Sequence, residues 1–210
     1  TVKMRIGFED DCNFERILNI ILKNKINLLS LHVRTVKGGY NTIPSYHYVE
    51  KAVEILKDDC PILVNGSIET AEEALALKQQ FGVLGVMIGR AAIRNPWIFR
   101  QIRELSLGKS PFVPKRSDLY NYCIDLYHEL SHPHIEERKM VSRMKKFLNY
   151  ICLSVSDGGQ FLTQMRHAIT QKELFSVFEY HLMLNSKSDL EVPNKPQERE
   201  LKPNPMLTAN

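Results

Sequence analysis

Hydrophobic positions change their spacing along the chain, and this change divides it into two parts. In the first part, short β-branched runs alternate with segments whose apolar side chains recur every three or four positions. The runs predict strands at residues 1–6, 28–33, 61–64 and 85–88, and the periodic segments predict helices at 13–25, 46–56 and 70–80. In the last of these helices, Thr70 and Glu73 have the spacing of a capping box. Buried strands alternating with amphipathic helices are typical of a parallel sheet with helical crossovers.

Strand–helix units of this kind close in one of two ways, as an open doubly wound sheet or as half of an eight-stranded barrel. Spacing alone does not separate the two. Polar residues stand within or just past the ends of the predicted strands, namely Lys3, His32, Asn65 and Arg90. In a barrel those ends converge on the active-site face. We therefore predict an α/β fold in which residues 1–107 form the second half of a (β/α)8 TIM barrel.

The second part of the chain loses the strand pattern and keeps only helical spacing. Helices are predicted at 118–130, 136–155, 160–169 and 172–184. Together they predict an all-α helical bundle over residues 117–187. Gly108, Pro111 and Pro114 do not fit a helix interior, so residues 108–116 are predicted to be a linker. Residues 188–210 contain four prolines and few large apolar side chains, which predicts a disordered tail.

Composition narrows the class of protein only slightly. The 210 residues are 43% hydrophobic and carry a net charge of +4, which is ordinary for a globular protein and permits a nucleic-acid partner without requiring one. No apolar run reaches the roughly 18 residues of a membrane span. Cys12, Cys60, Cys123 and Cys152 lie far apart, so we expect reduced thiols in a cytoplasmic protein and no metal site. Because Thr1 already stands on a predicted strand, we expect the sequence to open inside a domain.

Two glycine-containing loops follow neighbouring strands. Asn65-Gly66-Ser67 follows the third strand, and Gly89-Arg90 follows the fourth. Glycine lets backbone N–H groups approach an anion closely, and the arginine fork suits phosphate oxygens. Each loop alone also fits a tight turn. The pair, separated by one crossover and ending in arginine, favours a phosphate site.

The other cations are more ambiguous. Lys3 could point into a barrel mouth or lie along the surface, and a histidine at a strand end such as His32 is often structural. Positions 139, 143, 146 and 150 fall on one helix stripe, so that Lys139, Arg143 and Lys146, with Lys145 nearby, would suit a phosphate backbone. The same pattern fits a solvated helix face.

Several segments together resemble the flavin-dependent tRNA-dihydrouridine synthases. They are TVKMRIG, LHVRT, ILVNGSI, GVMIGRAAIRNPWIFRQIRE and RMKKFLNY, and the similarity runs from residue 1 to about 184. The resemblance implies an FMN-binding barrel followed by a helical tRNA-binding domain. It implies reduction of uridine in tRNA to 5,6-dihydrouridine, with NADPH reducing the flavin, in a cytoplasmic protein that is monomeric when complete.

The resemblance also assigns roles to residues. The flavin ring would be contacted by Lys3 and His32. The phosphate loops would be formed by Asn65, Gly66, Gly89 and Arg90. The tRNA would be held by Lys139, Arg143, Lys145 and Lys146. This chain departs from the family at Val33 and Ala91, where glycine is usual, and at Ser67, where an acidic residue is usual.

The cysteine that donates a proton to the uracil ring in this family has no counterpart here. None of the four cysteines stands in the family's motif, so we assign no catalytic residue and expect a fragment that is inactive alone. Two other functions stay open. One is an FMN-dependent barrel oxidoreductase acting on a small molecule. The other is a non-catalytic RNA-binding protein.

Overall fold

The computed structural model describes residues 1–157 and 159–184, which form two compact units. The first unit ends at Ile88, and the second begins at Gly89. The segment predicted to be a disordered tail, residues 188–210, lies outside the described residues, as does the end of the predicted bundle at 185–187.

The first unit contains a four-stranded parallel sheet in which the strands lie side by side in chain order. The strands are β1 (Val2–Arg5), β2 (Leu29–His32), β3 (Ile62–Asn65) and β4 (Gly85–Met87). The helices between them are α1 (Phe14–Lys23), α2 (His47–Leu56) and α3 (Ala71–Phe81), and a short 3-10 helix, Lys57–Asp59, follows α2. The α/β fold with a parallel sheet is therefore confirmed, with each element within a few residues of its predicted position.

Strand alternation gives the sheet two different faces. Leu31 and Val64 are paired across β2 and β3 and are fully buried, so their face of the sheet belongs to the core of this unit. The apolar sides of α1, α2 and α3 supply the rest of that core. The alternate positions, which include Lys3 and Arg5, belong to the opposite face.

The start of α3 shows how the predicted capping box is modified. The Thr70 hydroxyl accepts a hydrogen bond from the backbone N–H of Glu73 at 3.1 Å, as the spacing predicts. The Glu73 carboxylate also accepts a hydrogen bond from the N–H of Glu69 at 2.9 Å. Glu73 therefore reaches one residue beyond Thr70, into the preceding turn.

The second unit contains helices joined by turns, and no strand, in its described residues. Its helices are α4 (Arg90–Arg94), α5 (Ile98–Ser106), α6 (Arg116–Leu130), α7 (Glu137–Ile151), α8 (Gln160–His167) and α9 (Gln171–Glu179). The helix predicted over 136–155 ends earlier, at Ile151, and continues as a 3-10 turn, Cys152–Ser154. After α9 the chain continues in a π-helix, Tyr180–Leu184. Met144, Phe161 and Phe178 are completely buried at the centre of this unit.

The division between the units differs from the boundary predicted at residue 107. Ile93 and Trp97 pack against the buried core of the later helices, so α4 and the start of α5 belong to the second unit. The predicted linker at 108–116 is also held to α5. Its Phe112 carbonyl accepts from Gln101 Nε2 at 2.8 Å, and its Phe112 N–H donates to Glu104 Oε2 at 2.6 Å. Proline prevents helix formation in this segment, but side-chain contacts still fix its path.

Candidate functional site

The carboxyl edge of the sheet aligns four residues from four strands. Arg5 is paired with His32, His32 with Asn65, and Asn65 with Met87, so these residues form one row. The structure thus brings together two of the predicted site residues, His32 and Asn65. In parallel α/β sheets, ligands bind at this edge.

Lys3 does not belong to this row. It is paired with Ser30, two residues before the end of its strand, and its side chain is exposed. The residue of β1 that is paired with His32 is Arg5. Both cations lie on the same face of β1, because residues two apart in a strand point the same way. That alternation was the signal by which Arg5 could have been found.

A tyrosine from the loop after β2 completes the row. The Arg5 guanidinium lies 5.8 Å from the centre of the Tyr40 ring, and the His32 ring lies 6.4 Å from it in an edge-on arrangement. Arg5 Nη1 also donates to the Thr35 carbonyl at 2.8 Å. The loop therefore holds Arg5 over the end of the sheet. Sequence patterns gave no reason to select Tyr40, because its position depends on how the loop folds back.

The turn after β3 has an uncommon backbone. Gly66 has a φ of 152° and Ser67 a φ of 51°. A Cβ atom at Gly66 would come within 2.8 Å of Val33 Cγ2, so only glycine fits there. The Asn65 side chain is committed to the sheet, since its Nδ2 donates to the Met87 carbonyl at 2.6 Å. Asn65 therefore fixes β3 to β4. The groups that the turn itself offers to a ligand are those of its backbone.

The loop that contains Gly89 and Arg90 opens the second unit. Gly89 precedes α4, and a Cβ atom built there meets no atom within 4 Å, so the backbone faces open space. Arg90 is the first residue of α4 and is half-buried. The role of these two residues stays a prediction of the sequence.

The cations predicted to bind RNA divide into two groups on α7. Lys139, Arg143 and Lys146 are exposed, on a different side of the helix from the buried Met140 and Met144. An ion pair joins Lys139 to Glu136 at 3.1 Å, but both side chains are more than two-thirds exposed, so it holds the lysine only weakly.

Lys145 lies apart from these three. It is turned roughly 200° around the helix from Arg143, at about 100° per residue. Its Nζ donates to the Arg166 carbonyl at 2.8 Å, near the C-terminal end of α8. A cation near a helix C-terminus is favourable because it bonds a carbonyl without an intrahelical partner and meets the negative end of the dipole. The contact gives Lys145 a structural role that the sequence pattern did not predict.

The cysteines do not resemble activated thiols. Cys60, Cys123 and Cys152 are buried, and burial raises the pKa of the Cys123 and Cys152 thiols well above the ordinary value. Cys12 is exposed, and its hydrogen bond with Asp10 raises its pKa. Residues 1–157 and 159–184 contain no cluster of three or more His, Cys, Asp or Glu that could hold a metal ion. No helix in the same ranges is long and apolar enough to cross a membrane.

Comparison with known proteins gives a consistent result. The model of the family described as Dihydrouridine synthase (Dus) matches residues 1–185. A probable tRNA-dihydrouridine synthase of Aquifex aeolicus is 27% identical over 182 residues, which are 85% of this chain and 54% of that protein. A probable tRNA-dihydrouridine synthase 2 of Bacillus subtilis is 30% identical over 152 residues, 70% of this chain and 44% of that protein.

A human protein is also similar over a shorter stretch. It is named tRNA-dihydrouridine(47) synthase [NAD(P)(+)]-like, and it is 33% identical over 105 residues, 50% of this chain and 16% of that protein. The chain spans about half the length of the bacterial relatives that it matches, 54% and 44% for the two above.

Proposed function

Because the chain belongs to the dihydrouridine synthase family, we propose that it contributes to an enzyme that reduces uridine in tRNA to 5,6-dihydrouridine, with FMN as cofactor and NADPH as reductant. The observation that carries this proposal is the row of Arg5, His32 and Asn65 at the carboxyl edge of a parallel sheet, beside a turn that only glycine can form. Names of the relatives support the tRNA substrate, and the human name supports a nicotinamide reductant.

The chemistry of these residues fits a flavin mononucleotide. Glycine at position 66 makes room for the Val33 side chain and permits the positive φ of the turn, whose backbone we propose as the contact for the phosphate. Lys3 and Arg5 put two positive charges on one face of β1, and positive charge stabilises an electron-rich flavin ring. His32 supplies a ring nitrogen for a hydrogen bond at the same edge. When bound, FMN supplies the hydride-transfer chemistry. Gly89 and Arg90 remain sequence predictions for phosphate binding.

Strand order supports a half barrel over a doubly wound sheet. In a doubly wound sheet the order of strands reverses at a switch point. Here the order is β1-β2-β3-β4 without reversal, and every pair is parallel. This is the order that successive βα units have in a barrel. We therefore propose that the first unit belongs to the second half of an FMN-binding (β/α)8 barrel.

None of the four cysteines is proposed as the acid that protonates the uracil ring. Cys123 and Cys152 are part of the buried core of the second unit, and substrate has no access to them. Cys60 is buried as well, and Cys12, in the loop before α1, does not stand in the family's cysteine motif. The proton donor is expected in another part of the complete protein.

The activity is tested with the complete protein that contains this chain. FMN, NADPH and unmodified tRNA are added, and dihydrouridine is measured by mass spectrometry of the digested tRNA. Dihydrouridine should form with tRNA and not with free uridine. Turnover of a small-molecule substrate without any tRNA product would instead support the small-molecule oxidoreductase. Binding of tRNA without binding of FMN would support the non-catalytic protein.

We propose that the exposed cations of α7 contact the tRNA backbone. Each phosphate contact that is lost should flatten the log–log salt dependence of binding by roughly one unit. Changing Lys139, Arg143 and Lys146 to Gln together should therefore weaken tRNA binding and flatten the slope by about two to three units. FMN binding should not change. The measurement is tRNA affinity by filter binding at a series of salt concentrations.

A matched control changes three exposed cations of the first unit, Lys23, Lys51 and Lys78, to Gln. This variant loses the same net charge but leaves α7 intact. Its slope should stay close to that of the parent protein. Equal slopes for the two triple variants would mean that the α7 cations are only a solvated surface.

A further inference from the structure

A buried arginine joins the loops that follow two neighbouring strands. Arg34 is only 5% exposed and lies two residues past the end of β2. Its Nε donates to the Thr42 carbonyl at 2.6 Å, and its Nη2 donates to the Ser67 hydroxyl at 2.8 Å. Thr42 belongs to the loop after β2, and Ser67 to the turn after β3. A guanidinium has its donors in a rigid fork, so one side chain fixes both loops at once.

The turn that Arg34 reaches needs such support. Ser67 has a left-handed backbone with a φ of 51°, which is unfavourable for a residue with a Cβ atom. The preceding Gly66 also has a positive φ, 152°. Two successive residues in uncommon conformations persist only when surrounding contacts specify them. Arg34 supplies one of those contacts at the Ser67 side chain.

Tyr46 supplies a second contact to the turn. Its hydroxyl donates to the Gly66 carbonyl at 2.6 Å. Burial, followed by the charge of Glu73, raises the pKa of Tyr46 to about 12, so the hydroxyl keeps its proton at neutral pH. The carbonyl of Gly66 and the side chain of Ser67 are therefore both held by residues from the region after β2. The peptide planes between them cannot rotate freely.

We propose that Arg34 is a positioning residue, which together with Tyr46 holds the turn at Gly66 and Ser67 in the conformation that receives the phosphate of FMN. This inference rests on the proposed function, and specifically on the phosphate site at that turn. In this proposal Arg34 acts through the turn, because its Nε and Nη2 are engaged with Thr42 and Ser67. Preorganised backbone N–H groups bind an anion more tightly than mobile ones, because ordering them costs free energy.

The test compares FMN with riboflavin, which has the same ring and no phosphate. In the complete protein, Arg34→Gln and Tyr46→Phe should each weaken FMN binding about ten- to thirtyfold, the effect of losing one or two hydrogen bonds in the clamp. Riboflavin binding should weaken less than about threefold. Affinities are measured from the change in flavin fluorescence during titration.

Arg34→Lys separates geometry from charge. Lysine keeps the positive charge but has no fork that can span two acceptors on different loops. We expect Arg34→Lys to lose FMN affinity almost as strongly as Arg34→Gln. The matched control is Tyr48→Phe, which removes the hydroxyl that donates to Asp11 Oδ2 at 2.7 Å, away from the turn. This variant should change neither the affinity for FMN nor the affinity for riboflavin.

Each result decides the inference. Equal losses of FMN and riboflavin affinity, or a full recovery of FMN affinity in Arg34→Lys, would overturn it. A parent protein that prefers FMN over riboflavin, with the same preference in all variants, would overturn it while leaving the phosphate site intact. A parent that binds both flavins equally would remove the phosphate site and the inference together. Circular dichroism verifies folding, and Tyr46→Phe provides the milder variant if Arg34→Gln unfolds.

Discussion

Gly66→Ala is expected to destabilise the protein through two separable effects. The new Cβ atom would lie 2.8 Å from Val33 Cγ2, well inside the roughly 3.5–4.0 Å of a carbon–carbon contact. Val33 is fully buried and cannot move away, so overpacking should cost about 1–3 kcal/mol. The positive φ of 152° adds about 1–2 kcal/mol for a residue with a Cβ atom. The free energy of unfolding should therefore fall by about 2–5 kcal/mol.

A double-mutant cycle with Val33→Ala separates the two effects. Val33→Ala removes the methyl group that clashes, so the steric cost should disappear in the double variant while the backbone cost stays. The coupling energy should be about 1–3 kcal/mol, measured by urea unfolding of the four proteins. Gly82→Ala is the control, because Gly82 has a φ of 62° but a Cβ atom there meets nothing within 4 Å. It should cost only about 1 kcal/mol.

Two results would refute this reasoning. One is a Gly66→Ala variant that is no less stable than Gly82→Ala, which would mean that the turn relaxes without cost. The other is additivity of Gly66→Ala and Val33→Ala within about 0.5 kcal/mol, which would mean that the two side chains do not meet.

Three further predictions concern other parts of the molecule. Ser67→Asp should raise the free energy of unfolding, measured in urea, by about 1 kcal/mol, because it puts a carboxylate opposite Arg34 and because aspartate tolerates a left-handed backbone. A loss of stability would contradict the contact between Arg34 and residue 67. Burial lowers the pKa of His181 below its ordinary value of 6.5, despite the bond to Asp157, so the unfolded state binds more protons than the folded state. The free energy of unfolding should therefore fall as the pH drops below 6.5. His181→Gln should lack this pH dependence, and an unchanged dependence would exclude His181 as its source. Met144→Ala should cost about 2–5 kcal/mol because Met144 is fully buried, and a cost below 1 kcal/mol would mean that the core collapses around it.

The family and fold could be predicted from the sequence more fully than the site. Family membership, the parallel α/β fold and the positions of most helices followed from motifs and periodicity, and all of these are confirmed. The proximity of His32 and Asn65 also followed, because strand ends meet at one edge of a parallel sheet. Alternation along β1 could have identified Arg5 as a residue on the same face as Lys3, but its pairing with His32 depends on the register between β1 and β2. Tyr40 could not have been identified, since its position depends on a loop that folds back over the sheet.

The sequence by itself determined what local spacing controls. Apolar residues at every third or fourth position define one face of a helix, and β-branched runs define buried strands, whatever the rest of the chain does. Tertiary structure decided which polar groups meet. Arg34 reaches Ser67 across 33 positions, Lys145 reaches the Arg166 carbonyl across 21, and Phe112 holds the proline-containing segment to α5. Such contacts depend on packing between distant elements, and no local pattern encodes the distance between them.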